Sequence, residues 1–258
     1  MALNKNKELH FDKFLEERKL EIEAFWSRMP GNPKFEGKKI LDFGSGLGSL
    51  CFDLVSKGAF EVIGLDKDND SINYSNKLIK KYFEGGNLKF TSDHLTKLPN
   101  NYFDMIVSKD TFEHVKNLPV VMKELVKKLK VGGEMYLGYG PLWNSPFGDH
   151  GLAKYSIPIK LPWLHLLLGE IKIIENFNLF IDKNSNEIVP RHLDYLESYL
   201  NKMSLREHKK ILANSGLEIV NFKINQWANW NKVSLGFLPD SLMEYWARTI
   251  YCYLKKVI

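Results

Sequence analysis

Cysteine is nearly absent from this chain of 258 residues. Cys51 and Cys252 stand far apart, with no second thiol or histidine at metal-ligand spacing. That excludes a disulfide framework and suits a reducing compartment. Long apolar runs are missing too. The most hydrophobic stretch, residues 161–168, is far too short to span a bilayer. The opening residues, MALNKNKELHF, hold no apolar segment of signal-peptide type. A cytoplasmic location without a membrane span is therefore expected. Charge is not massed in one place. The net charge is +5 and the pI near 8.9, but the lysines fall in scattered pairs such as Lys80-Lys81 and Lys209-Lys210. Such pairs read as solvated helix faces rather than a nucleic-acid track. His10, His192 and His208 are dispersed, and no metal is expected.

What is present is ordinary globular material: 44% hydrophobic and 26% charged residues, enough for one large core. The chain is organised around residues 38–50, KKILDFGSGLGSL. A short apolar strand ends in Asp42 and runs into a turn with Gly44, Gly46 and Gly48, followed at once by an amphipathic helix. Glycines let a ligand approach the main chain, and the first amides of a helix favour a negative group. A dinucleotide fingerprint would place a sixth-position glycine where Ser49 stands.

Read in order, the chain alternates. A helix is expected over 8–29, stopped by Pro30-Gly31-Asn32-Pro33. Strands are expected at 60–66, 88–92, 103–108 and 134–140, with helices at 68–83 and 116–130. Gly132-Gly133 reads as a helix stop before strand five. Alternation of this kind implies right-handed crossovers and a parallel sheet. Residues 141–202 interrupt it, far beyond an ordinary connection. A helix over 205–215 is expected to start at a capping box of Ser204 and Glu207, and strands follow at 217–224 and 249–257.

The pieces LDFGSGLG, VIGLD, TSDHLTKLP, FDMIVSKDTFEHV and LKVGGEMYLG, in this order, resemble the class I S-adenosylmethionine (SAM) dependent methyltransferases of the small-molecule, type 11-like group. The resemblance implies an α/β, Rossmann-like sheet of seven strands, mostly parallel with the last antiparallel, helices on both faces and an insertion after strand five. The methyltransferase domain is expected over 37–258, with 141–202 as its substrate-binding insertion; the N-terminal helical part, 1–36, precedes the first strand and is expected either as a lid over the cofactor or as a helix packed on the sheet edge. Carried over residue by residue, Asp42 orients the methionine amine, and Gly44, Ser45, Gly46 and Gly48 line the methionine and ribose. Asp66 accepts from the ribose hydroxyls with Lys67 beside the adenine. Asp93 meets the adenine amine, His94 flanks the ring, and the main chain at Ser108 and Lys109 holds the methionine amine.

The implied activity is methyl transfer to a small-molecule acceptor, an oxygen of a sugar or secondary metabolite. Deprotonating a hydroxyl calls for a base, and histidine suits neutral pH. His114, after strand four, and His150, after strand five, are the candidates, with Glu113, Asp110 and Tyr155 behind them. His165 sits on an apolar run and reads as a packed residue. Trp143, Phe147, Trp163 and Leu164 are expected to wall the acceptor pocket; a packing or homodimer surface, and contact of residues 161–168 with a membrane to reach a lipid-linked acceptor, are the alternative uses of that insertion. Two other functions fit the same fold: a non-catalytic SAM-binding scaffold and a nucleic-acid methyltransferase. SKDTF stands where base-amine methylating relatives keep an Asn-Pro-Pro-Tyr-like motif.

Overall fold

The computed structural model describes residues 11–82, 87–155, 161–169, 171–173, 175, 176, 179, 200–226 and 239–258. His10 and His192 lie outside the described residues, as do the beginnings of the expected lid and much of the insertion.

Seven strands form one sheet: β1 (Lys39–Phe43), β2 (Glu61–Leu65), β3 (Leu88–Thr91), β4 (Phe103–Lys109), β5 (Leu129–Tyr139), β6 (Glu218–Gln226) and β7 (Ala247–Lys255). Their order is β3-β2-β1-β4-β5-β7-β6. β1 pairs in parallel with β2 and β4, β2 with β3, and β4 with β5. β7 inserts antiparallel between β5 and β6. The order reverses between β1 and β4, and open parallel sheets bind ligands at the carboxyl ends beside such a point.

Among the described residues the helices include α1 (Phe11–Arg28), α2 (Ser49–Ser56), α3 (Asn69–Tyr82), α4 (Leu118–Lys128), α5 (Leu164–Leu168), α6 (Leu205–Ala213) and α7 (Asp240–Met243). They divide the core in two. Ile40, Val62, Met105 and Val107 face α1, α2 and α3 through Ile22, Phe25, Leu50, Leu54 and Ile72. Leu41, Ile63 and Ile106 face α4 and α6 through Leu118, Met122, Leu125 and Leu212. Alternation along a strand sends neighbours to opposite faces. Phe103 shares the Ile106 face although Met105 does not, because the register shifts between Phe103 and Met105.

Two local expectations are corrected. Gly132-Gly133 lies inside β5, which begins at Leu129. The Gly132 amide donates to Lys256 O (2.7 Å) and the Lys256 amide to Gly133 O (2.9 Å), so the pair is an irregularity that ties β5 to the chain beyond β7. α4 stops earlier, where Leu129 turns extended and pairs with Phe103. The capping box at α6 is formed as expected: Glu207 N donates to Ser204 Oγ (3.2 Å) and Ser204 N to Glu207 Oε2 (2.8 Å).

α1 docks on the sheet because Ile22, Phe25 and Met29 fall on one face at helical spacing and are buried. The Trp26 indole N–H donates to Asp53 Oδ2 (2.9 Å), fixing α1 to α2. Arg18 lies one turn earlier on the same face.

Candidate functional site

A cavity of about 210 Å³ opens at the carboxyl ends of β1 and β4. Its walls are Asp42, Ser45, Lys109, the Gly44–Gly46 turn, the start of α2, and Arg18 of α1. The turn is shaped by its glycines. Gly44 has φ +82, and a Cβ there would meet Thr111 Oγ1 at 2.1 Å; Gly48 has φ +83, and a Cβ would meet Phe90 at 2.2 Å. Gly46, at φ +50, has open space where its Cβ would be.

The amides of the turn do not await a ligand in the way the helix-start argument expects. Gly44 N and Ser45 N donate to Leu65 O (2.8 and 3.1 Å), Gly48 N to Ser45 O (2.8 Å), and Gly46 N to Asp66 Oδ2 (2.8 Å). At these four positions the backbone supplies shape and closeness rather than free donors.

The polar groups in the cavity are of another kind. Asp42 is buried, and loss of water pushes its carboxyl up to about 7; the thiol of Cys51, which donates to Asp42 Oδ2 (3.1 Å), and the charge of Lys109 oppose the rise, while Asp66 adds to it. Ser45 Oγ is buried and has no hydrogen-bond partner among the described residues. An orphaned hydroxyl and a half-neutralised acid are groups that a polar, cationic ligand would satisfy. Lys109 Nζ contacts Asp110 (2.5 Å) and stands 4.0 Å from Glu21; Arg18 pairs with Glu21 at 2.8 Å.

Of the sequence candidates, Asp42, Gly44, Ser45, Gly46 and Lys109 meet in this cavity. Asp66 borders it by holding the turn: its second oxygen accepts from Asp68 N (2.9 Å), and each oxygen keeps a lone pair for a further donor. Ser108 is buried, its hydroxyl donating to Phe43 O (2.7 Å). Gly48 packs against Phe90, and Lys67 is exposed. Asp93 is exposed and accepts from Thr91 Oγ1 (2.9 Å) and Lys97 Nζ (2.8 Å), which hold its carboxyl below the usual range. His94 is exposed, its Nδ1 2.8 Å from Thr96 Oγ1. Arg18 was not expected; its place on the Ile22–Phe25–Met29 face was the available signal.

A second group gathers where β4 and β5 end. His114 and His150, thirty-six positions apart, bring their ring centroids to 5.3 Å. Glu113 joins them: Oε1 accepts from Gly140 N (2.9 Å), while Oε2 is buried without a partner among the described residues. Burial, with Asp110 second, pushes the Glu113 carboxyl up to about 8. Burial and then the neighbouring His114 push His150 down to about 4. Asp149 serves other partners: it accepts from the amides of Gly151 and Ala153 and stands 3.8 Å from His165 Nδ1. His165 is packed as expected, its Nε2 2.7 Å from Trp143 O. Leu164 is buried with Ala153, Ile173 and Leu200 in a small core of the insertion, and Trp143 packs against it. Leu164 therefore builds the insertion itself, while half-buried Trp143 also lines a shallow pocket with Glu113, Leu200 and Met203. Trp163 donates to Tyr245 O (2.9 Å).

Residues 34–142 match the methyltransferase domain family. An uncharacterised Haemophilus influenzae protein is 31% identical over 40% of this chain and 42% of its own length. Ubiquinone biosynthesis O-methyltransferase of Bartonella bacilliformis is 29% identical over 56% of this chain and 64% of its own. Phosphoethanolamine N-methyltransferase 1 of Arabidopsis thaliana is 32% identical over 39% of this chain and 21% of its own. The chain thus spans less than two thirds of these relatives. Among solved structures, a SAM-dependent methyltransferase from Mesorhizobium loti aligns with TM-score 0.57 at 16% identity, covering 93% of this chain and 99% of that one. Phosphoethanolamine N-methyltransferase 2 of Haemonchus contortus, in complex with SAM, aligns with TM-score 0.57 at 12% identity, covering 92% of this chain and 52% of that one. No described helix is long and apolar enough to cross a membrane. Residues 34–142 thus carry a methyltransferase domain, and the sheet order is that of the class I, Rossmann-like fold of SAM-dependent methyltransferases.

Proposed function

We propose that this protein transfers a methyl group from SAM to a hydroxyl of a small molecule, a sugar or secondary metabolite. The observation that carries the reading is the cavity at the β1–β4 switch point, lined by buried Asp42 and by Ser45, whose hydroxyl has no hydrogen-bond partner among the described residues. SAM supplies an electrophilic methyl carried on a sulfonium. Asp42, Ser45 and Lys109 would hold its methionine part, and Arg18 its carboxylate. Asp66 would take the ribose hydroxyls through the lone pairs left over from the turn, with Lys67, Asp93 and His94 along the exposed rim toward the adenine.

Positioning the acceptor supplies much of the rate in a displacement of this kind. The acceptor's proton would pass to the group of Glu113, His114 and His150. A base works best with a pKa near the working pH, and His150, near 4, is poorly matched to that. His114, its ring 5.3 Å away, is the other expected base. α1 would act as the lid and the insertion over 141–202 as the acceptor-binding part. Both thiols are free and buried, which agrees with a cytoplasmic setting.

Isothermal titration with SAM and with its demethylated product tests the first half. Transfer of a labelled methyl across a panel of sugar, phenol and amine acceptors tests the second. Absence of binding to either nucleoside would remove the reading; turnover of amines alone would remove the hydroxyl acceptor.

A further inference from the structure

We propose that Glu113, His114 and His150 form a binding site for a divalent first-row transition ion of the zinc class. One ligand atom from each residue, a carboxylate oxygen and two imidazole nitrogens, lies within 4.8 Å of the other two. Ligands on one such ion sit about 2.0–2.2 Å from it, so two of them are at most about 4.4 Å apart. The gap closes by side-chain rotation on the order of an ångström, without moving the sheet.

A second observation is independent of this spacing. Glu113 is 3% exposed, and its Oε2 has no hydrogen-bond partner among the described residues although Oε1 is fixed by Gly140 N. A buried carboxylate oxygen without a donor is costly, and a cation is one way to satisfy it. The residues are also held by different elements. Glu113 and His114 lie in a tight turn after β4, where His114 N donates to Thr111 O (2.8 Å) and Asn201 N donates to Glu113 O (2.8 Å). His150 lies in the loop after β5 at φ +56, a left-handed conformation that a non-glycine residue adopts only when its surroundings hold it there. Two imidazoles with one carboxylate suit zinc, cobalt, nickel or iron rather than magnesium or calcium, which prefer oxygen.

Three protein ligands leave a fourth position open, as in catalytic rather than structural zinc sites. The use of that position rests on the methyl-transfer reading. An acceptor hydroxyl bound there would lose its proton to solvent water more readily, because the ion lowers the pKa of a coordinated oxygen. An imidazole that ligates an ion is not at the same time a free base, so the site replaces the base role of His114. The ion-binding claim itself does not depend on methyl transfer.

The test is direct. The full chain is stripped with chelator, dialysed and titrated with Co²⁺ alone, following the visible ligand-field bands, and with Zn²⁺ by competition. One equivalent should bind with intense tetrahedral-type absorption. His114→Ala and His150→Ala should each weaken binding by more than the roughly 10–100-fold that loss of an outer-shell partner costs. Glu113→Gln should do the same, with circular dichroism and thermal unfolding checking that it folds. His165→Ala removes an imidazole outside the cluster and should leave the affinity unchanged. No stoichiometric Co²⁺ binding, or binding that survives in both His114→Ala and His150→Ala, would overturn the proposal. SAM titration of the same stripped protein separates the two readings: a chain that binds SAM but no metal keeps the first and loses this one.

Discussion

Asp66 Oδ2 accepts a hydrogen bond from the Gly46 amide at 2.8 Å, joining the end of β2 to the glycine turn after β1. One carboxylate thus shapes the turn and offers its remaining lone pairs to a ligand. Asp66→Ala should therefore lower SAM affinity at least about tenfold and also destabilise the free protein by roughly 1–3 kcal/mol, the cost of an amide left without its acceptor. Titration and urea unfolding measure the two effects separately. Weaker binding with unchanged stability would mean that the turn does not need Asp66.

Asp42 should make the free protein less stable as pH rises. Its folded carboxyl stands at about 7 against an ordinary 3.8, chiefly through burial. A raised acid binds its proton more tightly in the folded state, so its stabilising contribution is complete below about 3.8 and is lost as pH climbs through about 7. The full span corresponds to roughly 4 kcal/mol. Asp42→Asn cannot ionise, so its stability relative to the parent should improve across that window. SAM affinity in the parent should rise over the same range, because the ionised carboxylate is the form that receives a cationic amine, and binding should release protons. Parallel urea midpoints for parent and variant from pH 4 to 8 would refute the assignment.

Much of this was legible in the chain. The strand ends at Asp42, Asp66 and Lys109 could be placed because each apolar run is short, nearly continuous and closed by a polar residue. The turn after Asp42 was legible because its glycines have little other use there. What could not be read was partnership across the sheet. Sequence spacing places His114 and His150 on neighbouring loops, but only the parallel pairing of β4 and β5 brings their rings together. Glu113 went undervalued because its burial comes from the chain at Gly140 and Asn201, far off in sequence. The amides of the turn looked free because their acceptors, Leu65 O and Asp66, belong to the next strand. Gly132-Gly133 misled for the same reason, since its partner is Lys256.

His208 should govern the acid limit of stability. It is buried on α6, with Nδ1 3.2 Å from the Tyr139 hydroxyl, and burial pushes it down to about 4 from 6.5, Glu207 opposing. A depressed base stays neutral in the fold, so its contribution is complete above about 6.5 and is lost as pH falls toward about 4. The loss amounts to about 3 kcal/mol. His208→Leu should flatten the fall of stability between those values, whatever it does to stability at neutral pH. An unchanged slope in thermal unfolding across pH 4–6.5 would assign the acid sensitivity elsewhere.

Gly46 and Gly48 should separate binding from folding. An alanine at 48 would drive its methyl to 2.2 Å from the Phe90 ring, in a left-handed conformation that already disfavours it. Phe90 is itself buried against Phe52, so it has little room to retreat. Gly48→Ala should therefore unfold at clearly lower temperature. Gly46→Ala meets nothing within 4 Å, and its cost in the free protein should be only the backbone strain, about 1–2 kcal/mol. The space its methyl would enter borders the cavity, so the same substitution should weaken SAM binding far more than its small effect on stability. The comparison needs two measurements on each variant, a melting curve and a SAM titration. If Gly46→Ala binds SAM as the parent does, the ligand does not lie against the turn, and the placement of the methionine and ribose there is wrong.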